Sequence, residues 1–276
     1  MRLLIAIPVY NEARTIESVL QQVRPHAHAL GAELLEVNDG STDGSARVLE
    51  RLAQGWPALR LLKHAVNRGY GAAIASAFRY AVDGAYEGLI TMDSDGQHDP
   101  VCLPRFVAAL AQADIVSGSR YLGRFAHDTA APGDRRRINR LITEQINREL
   151  GLKLSDAFCG YKAYRVEALR QLCITEMGWG MPLQVWVQAA RLGLRVVEVA
   201  VPRLYLDGNR RFGGSLDDEE VRLAYYRRVL AEARANPLPA GVGQAAGAGQ
   251  SAGVGQAAVQ TPGGGLAAAV GMGIGS

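Results

Sequence analysis

Two aspartates with alternate spacing follow a short apolar run, and this pattern favours metal binding. Asp93 and Asp95 come directly after residues 89–92, which read LITM. In extended chain, residues i and i+2 point the same way, so both carboxylates can face one small volume. Two nearby carboxylates repel each other, and a hard divalent cation relieves the repulsion. The pair predicts Mg²⁺ or Mn²⁺, with Gln97 as a further oxygen ligand and nucleotide phosphates completing the shell.

Part of the same loop has a purely structural interpretation. Asp99 and Pro100 together are typical of a helix start, so we assign them to capping. His98 is expected to be a hydrogen-bonded loop histidine, with metal ligation as the alternative. Asp95 followed by Gly96 would also suit a turn, but the preceding apolar strand favours a ligand role for both aspartates.

A second polar loop, residues 37–45, follows another apolar run and reads VNDGSTDGS. Ser41 and Asp43 suit the capping of a following helix. Asp39 fits that role less well, because it stands at the strand tip where ligands bind. Its carboxylate is expected to accept a hydrogen bond from a nucleobase N–H.

The elements that must position these loops follow from the alternation of short apolar runs and amphipathic segments. This order predicts an α/β fold with a mostly parallel sheet flanked by helices, in one domain over residues 1–235. Strands are expected at Leu3–Pro8, Glu33–Asn38, Leu59–Lys63, Gly88–Met92, Asp114–Gly118 and Arg195–Val201. Helices are expected at Ala13–Leu30, Gly44–Gln54, Gly71–Val82, Pro100–Ala111, Arg135–Leu150, Leu183–Leu192 and Asp217–Ala233.

Four of the predicted strands end in polar residues. In open α/β sheets, ligands bind beyond the carboxyl ends of the strands, so these are the residues to test for function. We expect the four strand ends to converge at one edge of the sheet: residues 8–12, 38–43, 93–98 and 118–121.

Composition separates the last part of the chain from the rest. Arg234 is the last charged residue, and residues 236–276 form a repetitive Gly/Ala/Gln tract. Small side chains bury too little apolar area to offset the entropy of ordering a backbone. We therefore predict a disordered tail over residues 236–276.

The overall composition bounds the class of protein. Hydrophobic residues make up 48% and charged residues 21%, which is typical of a globular chain. A net charge of +3 is too small to indicate nucleic acid as a partner. The three cysteines lack CxxC spacing, so we predict neither zinc nor a disulfide framework, and a cytoplasmic location. The N-terminus lacks a charged leader and a small-residue cleavage site, so we interpret it as the first strand. No apolar run is long enough for a transmembrane segment.

Six segments together resemble family 2 glycosyltransferases, and among them the dolichol-phosphate mannosyltransferases and related polyprenyl-phosphate glycosyltransferases. They occur in the family's order over residues 3–203: IPVYNE, VNDGSTDGS, NRGYGAA, MDSDGQHDP, GSRY and DAFCGYKAYR. The resemblance implies a GT-A fold, which is a Rossmann-like, mostly parallel sheet. It also implies a GDP- or UDP-linked sugar donor and inversion at the anomeric carbon.

The resemblance assigns roles to particular residues. The metal and the diphosphate would be held by Asp93, Asp95 and Gln97, with Asp93 also touching the donor. The nucleotide sugar would be lined by Pro8, Tyr10, Glu12, Asp39, Asn67 and Gly69. The segment around Asn67 also has a simpler interpretation as an ordinary helix N-terminus.

Several arginines indicate where an acceptor phosphate would bind. Arg120 corresponds to a phosphate-binding arginine of the polyprenyl-phosphate enzymes, and we assign it a catalytic role with the two aspartates. Guanidinium groups match phosphate geometry, so the cluster in one predicted helix suits a lipid phosphate or the donor diphosphate: Arg135, Arg136, Arg137 and Arg140. From these we select Arg137 and Arg140, with Arg210, as acceptor contacts, and a solvated basic face is the alternative. The expected acceptor is a lipid phosphate, met peripherally at the inner face of the cell membrane.

The nature of the acceptor decides whether a base is required. A phosphate is already ionised at neutral pH, whereas a hydroxyl needs a general base. Gln184 stands where many relatives carry an acidic residue, which favours the phosphate, although Asp156 is a candidate base. Two other departures are Asn38, where an aspartate is common, and residues 207–217, which echo the family's R-x-x-G-x-S-K only loosely and leave Arg210 and Arg211 as phosphate contacts.

Two alternative functions remain open. One is a family 2 transferase with a hydroxyl acceptor, either a polysaccharide or a small molecule. The other is a catalytically silent domain that binds nucleotide sugar. A nucleotidyltransferase is disfavoured because no Gly-rich, lysine-bearing loop begins the chain, and a dehydrogenase because no GxGxxG follows the first strand.

Overall fold

A computed structural model describes residues 1–206 and 211–236. These residues form a sheet of seven strands flanked by helices. Its order is β3-β2-β1-β4-β6-β5-β7. The strands are β1 (Leu3–Val9), β2 (Glu33–Asp39), β3 (Leu59–His64), β4 (Gly88–Thr91), β5 (Ile115–Ser119), β6 (Lys162–Arg165) and β7 (Val196–Ala200). All pairings are parallel except those of β6, which runs antiparallel to both β4 and β5. The predicted α/β fold with a mostly parallel sheet is confirmed.

Strand β6 is the one strand of the described part that the sequence did not predict. It is four residues long and begins with Lys162, which breaks the apolar pattern of a buried strand. Lys162 is nevertheless only 2% exposed, because its ammonium group donates to the carbonyl of Cys159 and lies 5.2 Å from the centre of the Trp186 ring. Contacts that hydropathy cannot register therefore hold this strand in the sheet.

Helices cover both faces of the sheet, and all seven that were predicted are present within a few residues of the expected ends. They are α1 (Ile16–Ala29), α2 (Ser45–Gln54), α3 (Tyr70–Asp83), α4 (Leu103–Leu110), α5 (Gly133–Leu150), α7 (Met181–Arg191) and α8 (Glu219–Ala235), with a short α6 (Val166–Leu169) after β6. Asp99 has the predicted capping role, since its carboxylate accepts from the N–H of Val101 at 2.9 Å. Single turns of 3₁₀ helix occur at Pro100–Cys102 and Gly214–Asp217.

The core has two layers, one on each face of the sheet. Leu4 and Ala6 of β1 pack with α3, α5, α7 and α8 on one face. Ile5 and Ile7 pack with α1, α2 and α4 on the other. Parallel strands buried on both faces need uninterrupted apolar sequence, which explains why these strands read as continuous apolar runs.

The same topology sets the position of the polar strand ends. Strands β1, β2 and β4 are parallel neighbours, with Val9 opposite Asn38 and Ala6 opposite Thr91. Their carboxyl ends therefore lie at one edge of the sheet, as predicted. In residues 1–206 and 211–236, no helix is both long and apolar enough to cross a membrane. Residues 237–276 of the predicted tail lie outside the described residues.

Candidate active site

A cleft with a volume of about 690 Å³ opens at the carboxyl edge of the sheet. Strand-end residues line it together with residues from α5, α8 and neighbouring segments. Its lining includes Arg120 and every residue predicted for the donor and the metal: Pro8, Tyr10, Glu12, Asp39, Asn67, Gly69, Asp93, Asp95 and Gln97. Motifs that are far apart in the sequence thus meet in one place.

Asp39 lies at the tip of β2 and is only 3% exposed. Its Oδ1 accepts from the backbone N–H of Arg68 at 3.0 Å and lies 2.6 Å from Nδ1 of His64, while its Oδ2 accepts from the N–H of Gly69 at 2.8 Å. The carboxylate therefore organises the loop that precedes α3. The sequence placed Asp39 at the cleft but gave no sign of these three bonds.

The loop before α3 is packed closely on both sides. A Cβ at Gly40 would lie 2.3 Å from the carbonyl carbon of Val66, so only glycine allows this approach. Gly69 has a φ of +99°, and a Cβ there would lie 2.4 Å from the carbonyl oxygen of Met177. The two glycines let the β2 tip, the loop and the segment around Met177 meet backbone to backbone.

Asn38 stands where the family commonly has an aspartate, and it stabilises the turn after β2. Its Oδ1 accepts from the N–H of Ser41 at 3.0 Å, a bond that an aspartate would make equally. The N–H of Thr42 in turn donates to Oδ1 of Asn11 at 2.8 Å, which ties this turn to the end of β1. The substitution therefore leaves the local geometry intact.

Asp93 is held by His98 and Gly160. The backbone N–H of Asp93 donates to Nδ1 of His98 at 2.9 Å, which makes His98 the hydrogen-bonded loop histidine that the sequence predicted. Burial by itself would lower the pKa of His98, but interactions with Asp93, Cys159 and Asp95 together outweigh it and raise the pKa. A Cβ at Gly160 would lie 2.7 and 2.8 Å from the carboxylate oxygens of Asp93. Glycine at this position is therefore required for the carboxylate to lie where it does.

Asp95 is ordered by Gln97. The backbone N–H of Gln97 donates to Oδ1 of Asp95 at 3.0 Å, and its side-chain amide donates to Oδ2 at 2.7 Å. Within the described ranges, no three Asp, Glu, His or Cys side chains cluster around a possible ion position. The two carboxylates are suitable oxygen ligands for a hard cation but form only part of a shell, so a bound ligand or water would supply the rest.

Arg120 forms a buried ion pair with Asp156. Nε and Nη2 of Arg120 donate to the two carboxylate oxygens at 2.7 and 2.9 Å, and Nη1 donates to the Tyr205 hydroxyl at 3.2 Å. Burial would raise the pKa of Asp156, but the charge of Arg120 and the hydrogen bonds from Arg120 and the Phe158 N–H together outweigh it and lower the pKa. Asp156 is fully buried, so the hypothesis that it is a general base was wrong. It orients Arg120 instead.

Gln184 also has a structural role. Its side-chain oxygen accepts from the backbone N–H groups of Thr175 and Glu176 at 2.8 and 3.0 Å, and its amide donates to the Thr175 hydroxyl at 2.7 Å. It is not among the residues that line the cleft. Neither candidate position for a base therefore presents a carboxylate to the cleft.

Of the other arginines predicted to bind phosphate, Arg211 lines the cleft, whereas Arg137 and Arg140 do not. Nε of Arg137 pairs with Glu219 at 2.6 Å, and its Nη2 pairs with Glu220. Arg140 is exposed, and neither arginine lines the cleft. Arg210 lies outside the described residues.

Arg135 lines the cleft in their place. It does so together with Ile138 and Asn139, at the i, i+3 and i+4 spacing that defines one face of a helix. Arg137 and Arg140 share a different face of α5. The signal was present in the sequence, because the apolar positions Ile138 and Ile142 mark the inward face on which Arg135 stands.

Arg222 is a cleft residue that sequence reasoning missed. Although arginine, it is only 2% exposed, because it pairs with Asp134 and donates to the carbonyl of Leu216 at 2.6 Å. Its guanidinium carbon lies 4.6 Å from the centre of the Phe212 ring, and that of Arg135 lies 5.0 Å from the same ring. Phe212 therefore packs against two cationic side chains at the cleft.

An aromatic contact connects the two groups of lining residues. The rings of Tyr70 and Trp179 stack with centres 5.1 Å apart and planes 15° apart, and Trp179 meets Phe212 edge-on at 5.6 Å. The Tyr70 hydroxyl also donates to Oδ1 of Asp93 at 3.4 Å. A chain of contacts thus runs from the acidic strand end to the arginines.

Comparison with known proteins agrees with this geometry. Residues 4–173 match the family model described as Glycosyl transferase family 2. The undecaprenyl-phosphate mannosyltransferase of Micrococcus luteus is 32% identical over 80% of this chain and 91% of the relative. The polyprenol monophosphomannose synthase of Mycolicibacterium smegmatis is 31% identical over 72% of this chain and 76% of the relative.

A solved structure gives the same fold. Glucosyl-3-phosphoglycerate synthase from Mycobacterium tuberculosis superposes with a TM-score of 0.64 over 86% of this chain and 81% of that chain, at 21% identity. That likeness concerns the fold alone, and it agrees with the predicted GT-A architecture. With the family match and the two transferase relatives, it follows that the chain belongs to glycosyltransferase family 2 and is a glycosyltransferase.

Proposed function

We propose that this protein is an inverting glycosyltransferase that moves a sugar from a nucleoside-diphosphate sugar to a polyprenyl phosphate, using a divalent metal. One observation carries the proposal. A single cleft is lined both by the carboxylates of Asp93 and Asp95 and by the arginines Arg120, Arg135 and Arg222. Such a cleft suits a metal-bound diphosphate next to a second anion.

The strand-end residues support the donor part of the proposal. Asp93, Asp95 and Gln97 would hold Mg²⁺ or Mn²⁺, which when bound stabilises the charge on the leaving nucleoside diphosphate. Pro8, Tyr10, Glu12, Asp39, Asn67 and Gly69 would line the nucleotide. The synthase from Mycobacterium tuberculosis has been crystallised with UDP, Mn²⁺ and UDP-glucose, so a protein with this fold binds this class of donor. Whether the base here is guanine or uracil is an outcome of the test below.

The arginines of the cleft and the structural roles of Asp156 and Gln184 support the acceptor part. Relatives named for transfer to undecaprenyl phosphate or for polyprenol monophosphomannose synthesis match most of this chain. A phosphate nucleophile needs orientation and charge compensation rather than a base. Asp156 is paired with Arg120 and Gln184 orders a turn, so neither serves a hydroxyl acceptor. Arg120 and Arg135 would orient the acceptor phosphate.

A lipid acceptor implies work at a membrane surface. We propose peripheral action at the inner face of the cell membrane, where the cleft would receive the phosphate head of the lipid. Arg211 stands in the segment that echoes the family's R-x-x-G-x-S-K only loosely; it lines the cleft and would be a further phosphate contact.

A transfer assay tests the function. Purified protein is incubated with radiolabelled GDP-mannose, UDP-glucose or UDP-galactose, with Mg²⁺ or Mn²⁺, and with undecaprenyl phosphate or its non-phosphorylated alcohol. We expect label in the lipid fraction with the phosphate and none with the alcohol. Transfer to a free sugar or polyol alone would indicate the hydroxyl-acceptor enzyme. Donor binding without any turnover would indicate a silent binding domain.

A further inference from the structure

A buried histidine lies behind Asp39 and connects it to α3. Nδ1 of His64 lies 2.6 Å from Oδ1 of Asp39, and its Nε2 lies 2.9 Å from the hydroxyl of Ser76. The His64 side chain is only 2% exposed. We call Ser76, His64 and Asp39 the Asp39 relay.

The hydrogen-bonding roles in the Asp39 relay follow from what each group can do. An ionised carboxylate only accepts, so Nδ1 of His64 carries a hydrogen and donates to Asp39. On the other side of the ring, Nε2 is within hydrogen-bond distance of the Ser76 hydroxyl. The ring is held at both ends, and it delivers the third donor to a carboxylate that also receives two backbone N–H groups.

The order serine, histidine, aspartate also matches the arrangement of a hydrolytic nucleophile and its base. The position of Ser76 argues against that role. It lies within α3 rather than on a turn, and it is not among the residues that line the cleft. Ser76 is therefore better placed to orient the ring than to attack a substrate.

Orienting Asp39 has consequences for the cleft. Asp39 lines the cleft itself and also fixes Gly69, which lines it as well. Without the donor on His64, the buried Oδ1 would lose its shortest hydrogen bond. Asp39 could then rotate away from the N–H groups of Arg68 and Gly69, and the loop before α3 would lose its anchor.

We infer that His64 is a positioning residue for the nucleotide of the donor, acting through Asp39. The inference rests on the proposed function. Because His64 touches neither the cleft nor Asp93, its loss is expected to weaken nucleotide binding and to raise the KM for the donor. The kcat at saturating donor should stay within about threefold of wild type.

Two amide variants distinguish a positioning role of His64 from mere packing. In His64→Asn the amide nitrogen takes the place of Nδ1 and can still donate to Asp39, whereas in His64→Gln it takes the place of Nε2 and faces Ser76. Calorimetry with GDP and UDP in the presence of Mn²⁺ gives the Kd for each variant. We expect His64→Gln and His64→Ala to raise the Kd about tenfold, and His64→Asn to stay within about threefold of wild type.

Controls make each outcome informative. Exposed His28→Gln should bind like wild type, and thermal unfolding of each variant establishes that it folds. If His64→Ala does not fold, the comparison of His64→Asn with His64→Gln still decides. Ser76→Ala should change the Kd for the nucleotide less than about threefold. Loss of all turnover in that variant would overturn the positioning role.

Failure of the inference and failure of the proposed function give different results. A wild-type protein that binds neither GDP nor UDP overturns the proposed function. A wild type that binds one of them with the same Kd as His64→Gln overturns the positioning role alone. Equal weakening in His64→Asn and His64→Gln would also overturn it, since packing rather than the Nδ1 donor would then be responsible.

Discussion

Two sets of residues line the cleft, and they are built in different ways. The strand-end set, represented by Asp39, Asp93 and Asp95, comes from short motifs directly after β2 and β4. The helix set, represented by Arg135 and Arg222, comes from α5 and α8, more than eighty residues apart in the chain. The first set is fixed by sheet topology, whereas the second depends on how two helices pack.

The two sets also differ in charge and in how the charge is supported. Asp95 is ordered by the backbone N–H and the side-chain amide of Gln97 in its own loop, whereas Asp39 accepts from the N–H groups of Arg68 and Gly69 in a separate loop. The arginines of the helix set are held by partners elsewhere, as Arg222 is by Asp134. Local sequence therefore places the acidic residues at the strand ends, but tertiary contacts order Asp39 and the arginines of the helix set.

The most severe way to break the strand-end set is to remove a predicted metal ligand. Asp95→Asn should lower kcat by roughly 10³-fold, because the charge that develops on the leaving diphosphate would lose its main support. The transfer assay measures this, and circular dichroism should show an intact fold. Asp99→Asn in the same loop is the matched control and should retain activity. Wild-type turnover in Asp95→Asn would refute the metal assignment.

A smaller loss of activity is expected from a substitution that displaces a carboxylate without removing it. Gly160→Ala would place a methyl group 2.7 and 2.8 Å from the oxygens of Asp93, so the carboxylate must move. We expect roughly a 10²-fold loss in kcat, since misplacement by about 1 Å has that effect. Gly133→Ala is the control, because a Cβ there meets nothing within 4 Å. Unchanged kcat in Gly160→Ala would mean that the position of Asp93 is unimportant.

The helix set is tested with two arginines of one helix. Arg135→Ala should raise the KM for the lipid phosphate about tenfold, because a guanidinium contact to phosphate is lost. Arg140→Ala removes the same charge from an exposed position of α5 and should leave this KM unchanged. Titration of undecaprenyl phosphate at saturating donor gives both values. Equal effects of the two substitutions would indicate a general basic surface instead of a specific contact.

The smallest effect on activity is expected away from both sets. Glu36 in β2 is fully buried, and neither of its oxygens has a hydrogen-bond partner among the described residues. Burial raises its pKa well above the ordinary value of 4.5. The folded state therefore keeps a proton that the unfolded chain releases above that pH, and stability should fall as the pH rises.

Substitution of Glu36 should stabilise the protein without changing turnover. Glu36→Leu is expected to raise the free energy of unfolding by about 1–3 kcal/mol at neutral pH, the usual cost of an unsatisfied buried polar group. Urea unfolding at pH 5.5, 7.0 and 8.5 measures it, and the gain over wild type should increase with pH. Glu36→Gln should remove the pH dependence while keeping the unsatisfied group. A wild type whose stability rises with pH over this range would contradict the assignment.

Much of the fold could be predicted because its strands are buried on both faces. Apolar runs such as Leu3–Val9 cannot be read as anything but core, and the amphipathic spacing between them marks the crossover helices. Strand β6 was not predicted because the buried ammonium group of Lys162 is satisfied by the carbonyl of nearby Cys159 and by the Trp186 ring, which comes from another part of the chain. Hydropathy has no means of registering such partners.

The candidate site divides in the same way. Asp93, Asp95 and Gln97 were found because a polar motif after a buried strand has one possible location, the carboxyl edge of the sheet. Asp156 was misread as a candidate base because its pairing with Arg120 joins two separate segments. The helical period places Arg135 and Arg137 on different faces of α5. Which of them faces the cleft follows only after the inward face of the helix has been identified.

What the sequence by itself determined is the parallel α/β sheet, the edge at which ligands bind and the acidic residues placed there. Each of these depends on the order of residues within a short stretch of chain, where backbone periodicity fixes direction. Only the tertiary structure decided which charges face the cleft and which are consumed in pairing, as with Arg135, Arg137 and Asp156. Pairing depends on the approach of distant segments within a few ångströms, and no local pattern encodes that distance.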